Sequence, residues 1–84
     1  MAKHSFTLVV AKPVELTDSL ADDLYAAGCE DATPGSSDGV MVVEFHREAA
    51  SLEEAIRSAI ADVRRTGLEI ARVEIDAAVV GPAA

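Results

Sequence analysis

The sequence predicts an α+β fold of ferredoxin-like βαββαβ order: a four-stranded antiparallel sheet with two helices on one face. Three observations carry this expectation. Phe6–Ala11 and Val40–Phe45 are apolar, β-branched runs with a two-residue alternation. Each is followed by a stretch in which apolar residues recur every three or four positions, the spacing of a helix face. The turn-rich segment Pro34-Gly35-Ser36-Ser37-Asp38-Gly39 implies a hairpin between the second and third strands. Right-handed crossovers then bring both helices to the same side of the sheet.

In the first strand, Phe6, Leu8 and Val10 share one face and Thr7, Val9 and Ala11 the other. Lys12-Pro13 ends it, because proline has no ladder donor. Thr17 or Asp18 offers an N-cap oxygen to a helix whose apolar side is Leu20, Leu24 and Ala27. Gly28 stops that helix as a residue free to take positive φ, and Cys29 packs back beneath it. Residues 30–33 form a short second strand, with the turn at 34–39. Ser51-Leu52-Glu53-Glu54 is a capping box opening the second helix. Its apolar stripe is Leu52, Ile56, Ala59, Ile60 and Val63, while Glu53, Arg57, Asp62 and Arg64 face water. Arg64 and Arg65 suit the negative end of the helix dipole, and Gly67 supplies the stop. Ala71, Val73 and Ile75 then alternate with Arg72, Glu74 and Asp76 in a last strand. The domain spans 1–76, and 77–84, ending Gly-Pro-Ala-Ala, is expected to be a flexible tail. Phe6, Leu8, Val10, Leu20, Leu24, Met41, Val43, Phe45, Ile56, Ile60 and Val63 are the expected core.

Eighty-four residues make one domain. A chain of this size buries only about 60–65% of its unfolded surface, so small domains lean on disulfides, a structural metal or a second subunit. Cys29 is the one cysteine, which excludes an intrachain disulfide, and no Cys/His spacing resembles a zinc site. Self-association is the supplement that remains. A net charge of −8, from 15 acidic and 7 basic residues, repels a phosphate backbone. Aromatics are 4%, too few for a platform that stacks single-stranded bases. Nucleic acid and anionic membrane are therefore the disfavoured partners. No apolar run approaches the ~20 residues of a transmembrane helix, and Met1–Phe6 lacks the layout of a signal peptide. With a single thiol as well, the expected location is cytoplasmic. Five Arg against two Lys, with abundant Ala and Val, is the usage of a GC-rich bacterial genome.

The residues present no catalytic constellation. His4, His46 and Cys29 could be imagined as a metal trio, but they lack any short-range ligand pair. Scattered polar groups around one buried thiol is the better account, with His46 in a loop just past a strand. Cys29 is followed by Glu30 and Asp31, which raise a thiol pKa rather than lower it. The acidic pairs Asp22-Asp23, Glu30-Asp31 and Glu53-Glu54 read as solvated charge, since acid–base work needs two carboxyls in contrasting environments. Gly35 and Gly39 have no helix directly after them and so form no phosphate cradle. The expectation is a non-enzymatic chain with no cofactor and no metal.

One feature rises above this background. On the sheet face turned away from the helices, the alternation sets Thr7, Val9 and Ala11 beside Val40, Val42 and Glu44, near Arg72 and Glu74. Thr7, Val9, Val40, Val42 and Glu44 are the candidate interface, for a second copy or another protein. The bland alternative is a small apolar patch that the surface tolerates.

The segment Ala26-Ala27-Gly28-Cys29-Glu30-Asp31-Ala32-Thr33-Pro34-Gly35-Ser36-Ser37-Asp38-Gly39-Val40, then Val43–Ala49 and Ser51–Val63, carries a resemblance. Over residues 5 to 76 the chain resembles the N-terminal domain of small uncharacterised bacterial proteins that often continue into a helix-turn-helix DNA-binding segment. The strongest local matches are Ala-Gly-Cys-Glu-Asp-Ala and Asp-Val-Arg-Arg-Thr-Gly. The resemblance implies a regulatory or antitoxin-like setting, in which the acidic module mediates association and the other segment contacts DNA. Here no helix-turn-helix precedes Ala84, so DNA binding is not expected to carry over, and no functional residue is transferred. The expected function is an interaction or oligomerisation module. The alternative is a sensor binding a small metabolite at a dimer interface, by analogy of fold.

Overall fold

Strand β1 (Ala2–Val10) leads to α1 (Asp18–Ala26), β2 (Ala32–Ser37), β3 (Val40–Ala49), α2 (Leu52–Arg64) and β4 (Ile70–Glu74). The structure, a computed structural model, describes residues 2–75. Asp76, expected at the end of the last strand, and the expected tail at 77–84 lie outside the described residues. The chain is α+β, with one four-stranded sheet in the order β2-β3-β1-β4, and every pairing is antiparallel.

The β1–β3 ladder organises the sheet. It runs from Ala2↔Ala49 to Val9↔Val42, so both strands reach beyond their apolar stretches at 6–11 and 40–45. Lys3, His4, Ser5, His46, Arg47 and Glu48 carry no β-rich signal of their own, and pairing with each other makes them strand. His46 is therefore a strand residue, not a loop residue. At the other end, β1 stops at Val10, leaving Ala11 outside the strand.

The hairpin also differs from expectation. β2 is Ala32–Ser37 and takes in Pro34 and Gly35, so the turn is only Asp38-Gly39. Their φ values of 52° and 78° are those of a type I′ turn, whose twist matches the flanking strands. Proline is tolerated because β2 is an edge strand. His46 N–H donates to the Asp31 carbonyl, which sets the phase: Thr33 and Gly35 face β3, and Pro34 sits where a donor would point outward.

Helix α1 is capped by Thr17, whose hydroxyl accepts from Leu20 N–H at 3.1 Å. It closes with a Schellman motif, in which Gly28 N–H donates to Tyr25 O and Cys29 N–H to Leu24 O. Gly28 has φ +111°, and Leu24 and Cys29 are both buried beneath the turn. In α2, Ser51 Oγ accepts from Glu54 N–H at 3.2 Å. Asp62, expected to face water, is instead only 15% exposed because two arginines engage it.

One cluster forms the core. It joins Phe6, Leu8, Val10, Met41, Val43 and Phe45 to Leu24 of α1 and Ala55, Ala59 and Val63 of α2, with Leu20, Ile56 and Ile60 half-buried against it. Phe6 and Phe45, directly paired across strands, stack with centroids 5.5 Å apart. In β4 the register shifts between Val9 and Val10, so Ile70 and Val73 pack on the core while Ala71 is exposed. That bulge moves the strand's apolar side away from the predicted Ala71–Val73–Ile75 alternation. Among the described residues, no helix is long and apolar enough to cross a membrane.

Candidate functional site

The sheet face opposite the core holds alternate residues of each strand. Two cross-strand rows dominate it: Gly35, Val42, Val9 and Arg72, then Thr33, Glu44, Thr7 and Glu74. All five candidate interface residues lie on this outer face, and the ladder sets Val9 against Val42 and Thr7 against Glu44. Their exposures differ. Val9 is only 2% exposed although it belongs to the outer face, since Val42 and Arg72 flank it in register. Thr7 and Val42 are half-buried, and Val40, beside the hairpin turn, is 38% exposed. Ala11 is exposed beyond the strand end. The apolar ground is thus narrow, and its flanking charges are paired within the chain: Arg72 Nε donates to Glu74 at 3.2 Å, and Glu44 meets His46.

His46 links two strands. Its Nδ1 lies 2.8 Å from Ser5 Oγ and its Nε2 3.1 Å from Glu44 Oε1. Ser5 and His46 are direct partners across the β1–β3 ladder, while Glu44 is two residues along β3, on the same face. The imidazole is thereby held at both nitrogens, yet half-exposed. The imagined trio of His4, His46 and Cys29 is not assembled. Cys29 is in the core, and His4 pairs with Arg47 on the opposite face from His46. Burial first, then the nearby Asp62 carboxylate, push the Cys29 thiol up to about 11, which keeps it protonated.

Beneath the opposite face lies a polar centre that the sequence did not announce. Arg47 is buried at the end of β3 with its guanidinium over the Phe45 ring, 5.0 Å from the centroid. Every one of its donors is engaged. Nε and Nη2 bind the two Asp31 oxygens, Nη2 also binds the Gly28 carbonyl, and Nη1 reaches Ser58 Oγ and Asp62. Arg65 adds a 2.6 Å contact to Asp62 and donates to the Ala27 carbonyl. Asp31, expected to be solvated, is pulled below the usual carboxylate range by the Arg47 hydrogen bonds. A saturated guanidinium has nothing left to offer a ligand, so this centre ties α1, β2, β3 and α2 together. The surface depression above it is lined by Lys3, Glu30, His46 and Glu48. Among the described residues, no group of three or more His, Cys, Asp or Glu could hold a metal ion.

Compared with family models, curated proteins and solved structures, the chain matches none.

Proposed function

We propose that this chain is a non-enzymatic interaction module that self-associates through the outer face of its sheet. The carrying observation is the pair of partly exposed aliphatic side chains Val40 and Val42, seated beside the buried Val9 and bordered by Arg72–Glu74 and His46–Glu44 pairs hydrogen-bonded within the chain. A charged group already hydrogen-bonded within its own chain is less costly to bring against a second surface than a bare one. The β2 edge is the weaker route, because Pro34 blunts it. The order β2-β3-β1-β4 and a core shared by α1 and α2 support reading the frame as ferredoxin-like. A twofold axis running along β3 lets the same patch meet itself, with Val42 against its symmetry mate. Apolar area so buried stabilises by about 25 cal/mol per Å². A bacterial regulatory or antitoxin-like setting in the cytoplasm, without nucleic-acid contacts by this chain, belongs to the same proposal.

Sedimentation equilibrium tests it. The wild-type chain is expected to form dimers and Val42→Asp to yield monomers. A wild-type chain that stays monomeric at high micromolar concentration, or a Val42→Asp mass equal to wild type, removes the reading.

A further inference from the structure

We infer that Glu44 and His46 are one half of a divalent-metal site, which the same two residues of a second copy complete, and that Zn²⁺ is the ion it suits. This rests on the outer-face association proposed above. The two side chains leave one strand on the same face and converge, Nε2 and Oε1 standing 3.1 Å apart. Ligands about 2.0–2.2 Å from a tetrahedral zinc lie roughly 3.3–3.6 Å from each other, so the pair needs to open by only a few tenths of an ångström. Both groups are accessible, with side chains 49% and 57% exposed.

Ser5 supplies what a metal-binding imidazole needs on its far side. With Nε2 on the metal, Nδ1 carries the proton and donates to Ser5 Oγ, now 2.8 Å away, which fixes the ring and its tautomer. The change conserves protons: Nε2 gives up its hydrogen, Nδ1 gains one, and the serine hydroxyl turns from donor to acceptor. Two ligands hold zinc weakly, and four are wanted. A twofold axis along β3, which sets Val42 on Val42, also sets the His46–Glu44 pair on its own mate. Packed sheets stand about 10 Å apart, room for one ion between two facing imidazoles. A His₂Glu₂ set is of the nitrogen and oxygen type that zinc accepts.

The test is sedimentation of the full chain with zinc chloride added to one ion per two chains, reversed by EDTA. Zinc is expected to tighten dimerisation by about tenfold or more. His46→Ala and Glu44→Gln should lose that response, read within each variant as the difference between added zinc and EDTA, and cobalt in place of zinc should give the visible absorption of a tetrahedral site. If wild type associates without metal and zinc changes nothing, the metal site falls and the interface stands. A zinc response that survives in His46→Ala, or zinc bound at one per chain without change of mass, also overturns the site. A chain that is monomeric with and without zinc takes down both proposals.

Discussion

Arg47 and Asp31 meet as a fork, Nε on Oδ2 at 2.8 Å and Nη2 on Oδ1 at 3.0 Å, with the guanidinium side chain only 10% exposed. Sixteen residues separate them in the chain, so the pair fastens the start of β2 to the far end of β3. Removing Arg47 leaves Asp31, whose side chain is 32% exposed, and the more buried Asp62 without their shared cation, at up to about 3–5 kcal/mol. Asp62 is stranded by the same change, although Arg65 still holds it. Because small domains have only about 5–15 kcal/mol in hand, Arg47→Met should be close to unfolding. Urea denaturation of wild type and variant measures the difference, and a loss under about 1 kcal/mol would mean the network contributes nothing.

The same pair makes stability fall in acid. Hydrogen bonds from Arg47 lower the folded pKa of Asp31 below the ordinary 3.8. Above 3.8 the carboxylate is charged in both states and its full contribution is present. As pH falls below 3.8 the unfolded chain takes up the proton first, and the contribution is lost as pH drops through the folded value. Replacing Asp31 with Asn should therefore flatten the acid limb of stability against pH. An unchanged limb would assign acid unfolding to other carboxylates.

Two glycines separate backbone strain from steric clash. Gly28 has φ +111° and a Cβ there would stand 3.0 Å from Asp62 Oδ2, an atom pinned by Arg47. Gly67 has φ +90° with nothing within 4 Å. Alanine at either position must adopt a positive φ, at a cost of about 1–3 kcal/mol. Only at position 28 must it also displace a buried ion-paired carboxylate. Gly28→Ala is thus expected to lower the melting temperature clearly more than Gly67→Ala. Equal losses would show that Asp62 moves aside freely.

These elements mark how much the sequence discloses. Where a segment carries its own periodicity, as at Leu8, Met41 or Ile56, the expected core residues join the observed cluster. Gly28 and Ser51 mark helix ends because capping is local chemistry that a few neighbouring residues determine. Strand length is not local: Ala2–Ser5 and His46–Ala49 become strand only by pairing with each other. The role of Arg47 is not local either, as its partners lie 16, 15 and 19 positions away at Asp31, Asp62 and Gly28. One hint was available, since Arg47 falls in phase with Met41, Val43 and Phe45 and so belongs to the core side of β3. The Ser5–His46–Glu44 chain likewise depends on β3 running on to Ala49, which no local signal at His46 announces.

Cys29 gives stability a second pH limb, of opposite sign. The thiol is 3% exposed, and burial with the adjacent Asp62 charge raises its pKa from 9.0 to about 11. Below pH 9 it is protonated in both folded and unfolded chains and adds no pH dependence. Between 9 and 11 the unfolded chain releases the proton while the folded chain keeps it, so stability falls as pH rises. Two units of difference correspond to roughly 2–3 kcal/mol across that window. The wild-type curve alone does not isolate the thiol. Cys29→Ala isolates the thiol: it fills the same core position with a smaller apolar group and cannot ionise. The variant should begin less stable at pH 8, through the cavity left behind, and lose less stability than wild type on the way to pH 11. Parallel curves for the two proteins, by urea denaturation at each pH, would mean that the thiolate is accommodated in the core after all.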